Sequence, residues 1–516
     1  MKNIIKISLI SLITLSFFNS CRDAIDIVQD GEINNQQTFK SVTDLQKYLY
    51  GDVYTTMSNT GPVTVSAFLT DETGLGSANS TLTPGMHQFF LDPSDATSSS
   101  LWLSNYATIN RVNRLLAAAE LITPATSAEQ ITYNSVIAQA RVIRAFAYFT
   151  LETYFSTDLK NDDALGVILT TKVPVNDEKL PRVKNSEIFA LIDSDLSFAD
   201  TNLVDNTNYF YISKNFINAF KARYYLYRGK HALAKQFATK VINESGLSLV
   251  GVNTLPTSTT GSSAWHTSLN SYASTSAIAK MYNDKERGEI IFALSRPTSG
   301  SWTNIGSIFN TNNSALGGSP LYDMGRNLFN ILDSTPGDIR RYIYVDPTSK
   351  IDANYATNPD YKNSDVLVID KYPGKYQGTN PLRNDEKVFR LSEMYLILAE
   401  CAVVENDFVT AAGYIKQIRD KRNYLGPVTL PTYTSAAQAY SDILLERRVE
   451  LAFEGHRYID LKRLGALANK SIDRHPTDDV STVPTTLPVT DYRFTLPIPR
   501  NEVQGNPTIT QNPGYK

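Results

Sequence analysis

Residues 445–464, LERRVELAFEGHRYIDLKRL, decide how the chain is read. Leu445, Val449, Ala452 or Phe453, then Tyr458, Ile459 and Leu461 recur at helical spacing among charged residues, which predicts one amphipathic helix with a buried stripe. Glu446, Glu450 and Glu454 come every four residues and so stack on neighbouring turns of one face. Carboxylates in such a row repel one another unless cations share the space. Arg447, Arg448, Arg457 and Arg463 are close in sequence and are the expected partners, in a network of Arg–carboxylate pairs. His456 beside the row raises the alternative of metal or acid–base chemistry. A di-iron carboxylate bundle uses Glu-x-x-His, with both ligands on one face, whereas Glu454-Gly455-His456 points them apart. The stretch is therefore read as structural, with Glu446, Arg447, Glu450, Glu454, Gly455, Arg457 and Asp460 as its signature and no metal ligand or catalytic residue assigned.

The chain of 516 residues is long enough for a large core, and 42% of it is hydrophobic, as in ordinary folded proteins. A net charge of -3, from 49 basic and 52 acidic residues, gives no electrostatic reason to expect nucleic acid. The aromatic residues are mostly Tyr (29) and Phe (22), with Trp at only 3 positions; Tyr suits both helix packing and surfaces that meet polar, flat-faced ligands.

Residues 1–20 read as a signal peptide: Lys2 and Lys6 supply the positive start, and 7–18 is an apolar run too short to span a bilayer. Cys21 directly after Ser20 is similar to a bacterial lipobox, although Phe18 stands where Leu is usual, so Cys21 is the expected lipidation site and 21–40 the tether. With only Cys21 and Cys401, no disulfide framework is expected, and Cys401 reads as a small buried residue.

A first helix is predicted at 41–57, followed by an irregular insert at 58–100 that carries Asp71, Glu72, His87, Phe89 and Phe90. Helices are then predicted after Leu101, over 131–155, and over 186–203 with Ser186 as its cap. Segments 215–243 and 389–422 share one plan. Each has a helix with Ala at the crossing points, a break at Gly229 or near Asn406, and a second such helix. These resemble tetratricopeptide units, and stacking them makes a solenoid. Segments 251–321 and 347–384 are rich in polar residues and aromatics without high net charge, so they are expected to be ordered loops packed on the helices. The fold class is thus mainly all-α: a helix-pair solenoid with long irregular loops on one side and little β-structure.

Several segments together resemble the SusD/RagB family of Bacteroidetes outer-membrane nutrient-binding lipoproteins: RLSEMYLILAE at 390–400, IRDKR at 418–422, the stretch 445–463, and the ending LPIPRNEV at 496–503 with QNPGY at 511–515. Trp102, Tyr106, Ile109 and Asn113, then Arg144-Ala145 and Pro181-Arg182, follow in the same order. The resemblance covers nearly the whole chain, as one unit over 41–516 with an N-terminal part at about 41–250 and a C-terminal part at about 280–516. It implies a lipid-anchored protein of the outer membrane, facing the cell exterior, that captures glycan and hands it to a SusC-like TonB-dependent transporter. It implies no catalysis and no cofactor.

A sugar offers apolar C–H faces ringed by hydroxyls, so its site needs aromatic platforms flanked by groups that replace water. Trp302 is the first candidate, among Ser301, Thr303 and Asn304; Trp265, Phe309, Tyr322 and Arg326 follow, with Asp71 and Glu72 as acceptors. Each is equally readable as a plug anchoring its loop. Three other functions are weighed, the first a pure scaffold whose helix pairs bind protein while the loops do nothing else. The second keeps the fold and captures peptide. The third is a glycoside hydrolase, which needs two carboxylates facing across a cleft, Asp71 or Glu72 with Asp323; nothing in the sequence marks them as a pair.

Overall fold

Polar caps mark where the long helices start, because each supplies an acceptor for an amide that the first turn leaves unpaired. The computed structural model describes residues 39–79, 85–174, 178–252, 254–297, 304–310, 320–375, 382–478 and 484–516. The expected signal peptide and most of the tether, with Cys21, lie outside the described residues, as does Trp302. Ser41 caps Val42–Tyr48, which runs on through a π-helical turn, Leu49–Val53, to Tyr54–Thr56. Helix α1 (Thr60–Leu69) follows. Asp95 caps α2 (Ala96–Ala119) and Thr126 caps α3 (Ser127–Phe155). Helix α4 (Asn185–Asn202) starts one residue before the expected cap Ser186, with the Glu187 carboxylate accepting from the Lys184 amide. Then come α5 (Lys214–Tyr227), α6 (His231–Glu244), α7 (Leu391–Val404), α8 (Phe408–Arg422), α9 (Ala436–Glu450) and α10 (Arg457–Leu464).

Helix α2 packs on α3, α3 on α4, α5 on α6, α6 on α7, and α7 on both α8 and α9, which makes the stacked-pair solenoid. The pairs α5/α6 and α7/α8 turn by the same device. Lys230 N–H bonds Tyr225 O around Gly229 (φ 70°), and Asp407 N–H bonds Ala402 O around Asn406 (φ 59°), so a left-handed residue closes each first helix. Residues 245–390 are inserted between α6 and α7, which touch in space. They carry most of a second hydrophobic core, built from Trp265, Tyr282, Phe309, Phe329 and Tyr344, beside the larger core between the helices. Three short antiparallel pairs tie loops to helices: β1 (Thr73–Leu75) with β5 (Tyr322–Met324), β2 (Leu165–Ile168) with β3 (Arg182–Lys184), and β4 (Ile290–Leu294) with β6 (Glu386–Arg390).

Two expectations are corrected. The stretch 58–100 is not an irregular insert: α1, β1 and the start of α2 lie in it. Val63, Val65, Ala67 and Leu69 of α1 are fully buried, and Pro62 sits in the first turn, where a missing amide costs nothing. Residues 445–464 are not one helix. Helix α9 ends at Glu450, and a turn follows with Phe453 (φ 62°) and Gly455 (φ 88°) in the left-handed region before α10 begins. A Cβ on Gly455 would lie 2.9 Å from the Pro62 carbonyl carbon. The turn lets Val449, Ala452 and Phe453 enter the second core while Tyr458, Ile459 and Leu461 return to the first.

The row of carboxylates is neutralised by cations distant in sequence, not by its neighbours. Glu450 accepts from Arg390 Nη1 (2.8 Å), Arg422 Nη2 (2.7 Å) and Nε (3.1 Å), and Arg340 Nη1 (3.0 Å). Arg340 and Arg419 hold Glu446 at 2.6 and 2.7 Å, while Arg390 Nε and Lys371 hold Glu454 at 2.8 and 2.6 Å. Glu289, just before β4, shares Arg390 and Arg422. The neighbouring arginines point elsewhere. Arg463 pairs with Glu400 and Asp460, and Arg457 with Asp71. Arg447 lies 2.8 Å from Asp460, but without the alignment of a hydrogen bond. His456 is buried, and burial with the nearby Arg223 and Arg447 holds its imidazole well below the usual range.

Burial alone raises the Glu450 carboxyl, but Arg422, Arg390 and Arg340 outweigh it and hold the group well below the ordinary carboxylate range; Glu446 and Glu454 are lowered too. A lowered carboxylate stabilises the fold above its unfolded value and loses that contribution as pH falls through the folded one. Stability carried by the network therefore persists at neutral pH and fades only below about pH 4.5. Glu450→Ala, which leaves three guanidiniums facing a void, is expected to lower unfolding free energy by about 3–5 kcal/mol in denaturant titrations; a loss under about 1 kcal/mol contradicts the network's role.

Candidate functional site

Described residues that flank 80–84, 298–303, 311–319, 376–381 and 479–483 are joined by hydrogen bonds around the β1–β5 pair. Gly76 N–H bonds Leu321 O (3.0 Å) and Ala78 N–H bonds Pro320 O (3.1 Å), so the chain entering 80–84 and the chain leaving 311–319 run side by side. Phe309 O accepts from the amides of Leu321 and Tyr322. Gly306 N–H bonds Leu382 O at 2.9 Å, and Arg383 Nε donates to Asn304 Oδ1 at 2.8 Å and Nη1 to Pro297 O at 3.1 Å. These bonds join the flanks of 298–303 to those of 376–381. Asp478, before 479–483, accepts from the Arg326 amide at 2.7 Å. Residues held by such a hydrogen-bonded platform on a rigid scaffold are a natural source of ligand contacts.

The platform is bolted to the α9–α10 turn. Arg457 grips Asp71 with two bonds, Nε–Oδ1 at 2.7 Å and Nη2–Oδ2 at 2.8 Å. Glu72 accepts from Ser66 Oγ and from the Phe453 amide, each at 2.7 Å. Burial tends to raise the Asp71 carboxyl, but Arg448 and Arg457 keep it well below the usual range. Glu72 has no direct cation, and burial pushes it up to about 7.

Most of the sugar-contact candidates are buried. Trp265 is fully enclosed, edge-on to Tyr342 at 5.0 Å, and Phe309 is enclosed between Tyr372 and Phe453. Tyr322 packs on Phe68 at 4.3 Å. Arg326 pairs with Asp365 at 2.7 Å and lies 3.7 Å over the Tyr355 ring. Asp71 and Glu72 are at most 1% exposed. Tyr322, Arg326, Asp71 and Glu72 surround the platform, whereas Trp265 lies against Tyr342 and Tyr424. Asp323, the third residue of the hydrolase alternative, is 9% exposed, and burial with Asp365 and Asp478 nearby raises its carboxyl well above the usual range. None of these carboxylates faces open solvent. No group of three or more His, Cys, Asp or Glu among the described residues is placed to hold a metal ion.

Among the described residues near these junctions, Phe90 is exposed and Asn304 and Arg383 are half-buried. Phe89 takes a left-handed φ of 58°, its ring under Arg474 at 4.2 Å, and this turns Phe90 outward to 66% exposure. A bulky residue in that region is strained, and such strain concentrates at binding sites. Tyr322 lies 6.0 Å from His87, which places this bend at the platform's edge. An aromatic pair, Phe89-Phe90, in a polar stretch is visible in the sequence; nothing local marks Arg383.

A family model described as "SusD family" matches residues 332–515, and one described as "Starch-binding associating with outer membrane" matches residues 26–226. SusD-like protein P38 of Formosa agariphila is 24% identical, covering 99% of this chain and 99% of that protein. A SusD-like protein of Bacteroides ovatus is 23% identical over 75% of this chain and 70% of its own length. Among solved structures, a SusD superfamily protein of Bacteroides vulgatus superposes with a TM-score of 0.73 at 22% identity, over 93% of this chain and all of the other. A laminarin-binding SusD-like protein superposes with a TM-score of 0.63 at 20% identity, over 92% of this chain. At such identities the structures show a shared fold.

Glu72 supplies a pH signature for the platform. Its raised carboxyl favours the fold fully below about pH 4.5 and loses that contribution as pH rises through about 7. Glu72→Gln is expected to raise stability at pH 9 relative to wild type by on the order of 2 kcal/mol and to leave pH 4 nearly unchanged; denaturant unfolding at both pH values checks it.

Proposed function

From a chain that belongs to the SusD family, we propose a cell-surface lipoprotein that binds oligo- or polysaccharide and passes it to a SusC-like TonB-dependent outer-membrane transporter. The observation that carries the reading is the platform: amide and guanidinium groups at Asn304 and Arg383 at one of its junctions, and an exposed ring at Phe90 in the bend whose His87 lies by Tyr322. Those are the chemistries a sugar needs, an apolar face to stack on and fixed donors and acceptors for hydroxyls. The laminarin-binding neighbour of the same fold supports carbohydrate as the cargo. Capture and release require no bond to be made or broken, so the reading assigns no catalytic residue.

Trp302 lies between Pro297 and Asn304 in the chain, two residues whose backbone and side chain Arg383 holds. It is proposed as a stacking residue for a sugar ring. Trp265 is proposed to serve the second core instead. No described helix is long and apolar enough to cross a membrane, and the anchor is proposed to be a lipid on Cys21.

Affinity profiling on glycan and peptide panels tests the cargo; binding confined to peptides overturns the sugar reading. Trp302→Ala is expected to weaken glycan binding by at least about tenfold with unchanged melting. Trp265→Ala is expected to cost about 3–5 kcal/mol of stability and to spare the affinity of folded protein. Labelling cells with radioactive palmitate is expected to mark the protein and to fail for Cys21→Ala.

A further inference from the structure

Two clefts adjoin along α9, sharing Ile331 and Leu445 in their walls, and their charges differ. The smaller, about 310 Å³, has Arg340, Arg419 and Arg422 facing Asp338, Asp442 and Glu446, so cations and carboxylates balance. The larger, about 530 Å³, lies between α9 and residues 469–474; among the described residues its lining has Arg448, Arg457, Lys470, Arg474 and Asp473, with Arg457 held by Asp71 and Arg474 by the carbonyls of Phe68, Thr70 and His87. Arg448 and Lys470 are then the cations of this wall without a short ion pair among the described residues.

Arg448 is the informative member. It is 5% exposed, yet its guanidinium has only long contacts: Nη1 donates to Asp473 Oδ2 at 3.4 Å, Nη2 to the carbonyls of Asp71 and Asp473 at 3.3 and 3.4 Å and lies 3.5 Å from Asp71 Oδ2, and Nε has no hydrogen-bond partner. Asp71 gives its two short bonds to Arg457 instead. Asp473, the other partner, is 61% exposed and turned toward water. A buried guanidinium with long contacts and an unmet N–H is costly without a further anion. Lys470, exposed at the cleft, forms no ion pair among the described residues.

The remaining walls suit a sugar. Ile331, Leu444, Leu445 and Ile472 make an apolar side, with Leu445 37% exposed, and Ser441, Ser471, Thr485 and Thr486 offer hydroxyls. The volume lies within the range of small-molecule sites. We infer that this cleft binds the anionic group, a carboxylate or a sulfate ester, of an acidic carbohydrate, with Arg448 and Lys470 meeting the charge and Leu445 meeting the ring. The choice of carbohydrate as carrier rests on the glycan-binding reading above. The cleft adjoins the platform: of its lining residues, Arg457 grips Asp71 and Arg474 lies over the Phe89 ring.

The test is calorimetry on the mature chain with three probes of equal length: an oligogalacturonide, a sulfated galactan oligosaccharide and a neutral galactan oligosaccharide. At least one acidic probe is expected to bind about tenfold or more tighter than the neutral one, with affinity falling as salt rises; which acid binds identifies the group. Lys470→Glu, an exposed change that leaves folding intact, is expected to weaken the acidic probe by about tenfold and to leave the neutral probe unchanged. Arg448→Gln is expected to do the same wherever it folds. Neutral and acidic probes binding alike, in wild type and Lys470→Glu, overturns the inference and leaves the glycan reading standing. Binding of none of the three overturns both.

Discussion

An ionised carboxylate can be buried only where cations are placed to meet it, and α9 with the turn after it buries three. Glu446, Glu450 and Glu454 draw Arg340, Arg390, Arg419, Arg422 and Lys371 out of four different segments, with Glu289 closing the circle from just before β4. Each of these groups is at most 5% exposed, Arg419 excepted. Unpaired, any one of them would cost several kcal/mol, so the segments that carry them must arrive together. The start of α7, the end of α8, the 340–343 helix and the strand pair β4–β6 are thereby held against one helix.

The same helix joins the two hydrophobic cores. Ala439, Ile443 and Leu444 of α9 pack in the helical core, while Val449 and the turn residues Ala452 and Phe453 pack in the core beneath the loops. The turn then carries the constraint outward. Phe453 gives its amide to Glu72, and Arg457 grips Asp71, so the β1–β5 platform is fixed to the scaffold by backbone and charge together. A platform held in this way keeps its own shape, which is the physical basis for placing ligand contacts there.

Much of the scaffold was legible in the chain. Ala at crossing points, Gly229 and Asn406 as breaks, and apolar residues at helical spacing are local signals, and the helices α5 to α8 follow them. The site was less legible. Trp265, Phe309 and Tyr322 stand in polar stretches and look like surface aromatics, yet they are buried because residues 245–390 fold over a core of their own. Asp71 and Glu72 look like open acceptors in an insert, but the turn after α9 returns to cover them. Arg448, adjacent to two other charged residues in a row already read as paired, gave no sign that it would be left with long contacts.

The sequence alone determined the helical periodicity, the repeated helix pairs, the family resemblance and the need for cations beside the carboxylates of 446–454, because each depends on residues near one another in the chain. Which cations meet those carboxylates, and where the helix breaks, was decided by tertiary structure. Charge pairing depends on distance in space: Arg340, more than a hundred residues before Glu446, lies 2.6 Å from it, while the adjacent Arg447 turns to the opposite side of the helix and faces Asp460. The break at Phe453 and Gly455 exists because one helix cannot bury its ends in two cores without changing direction.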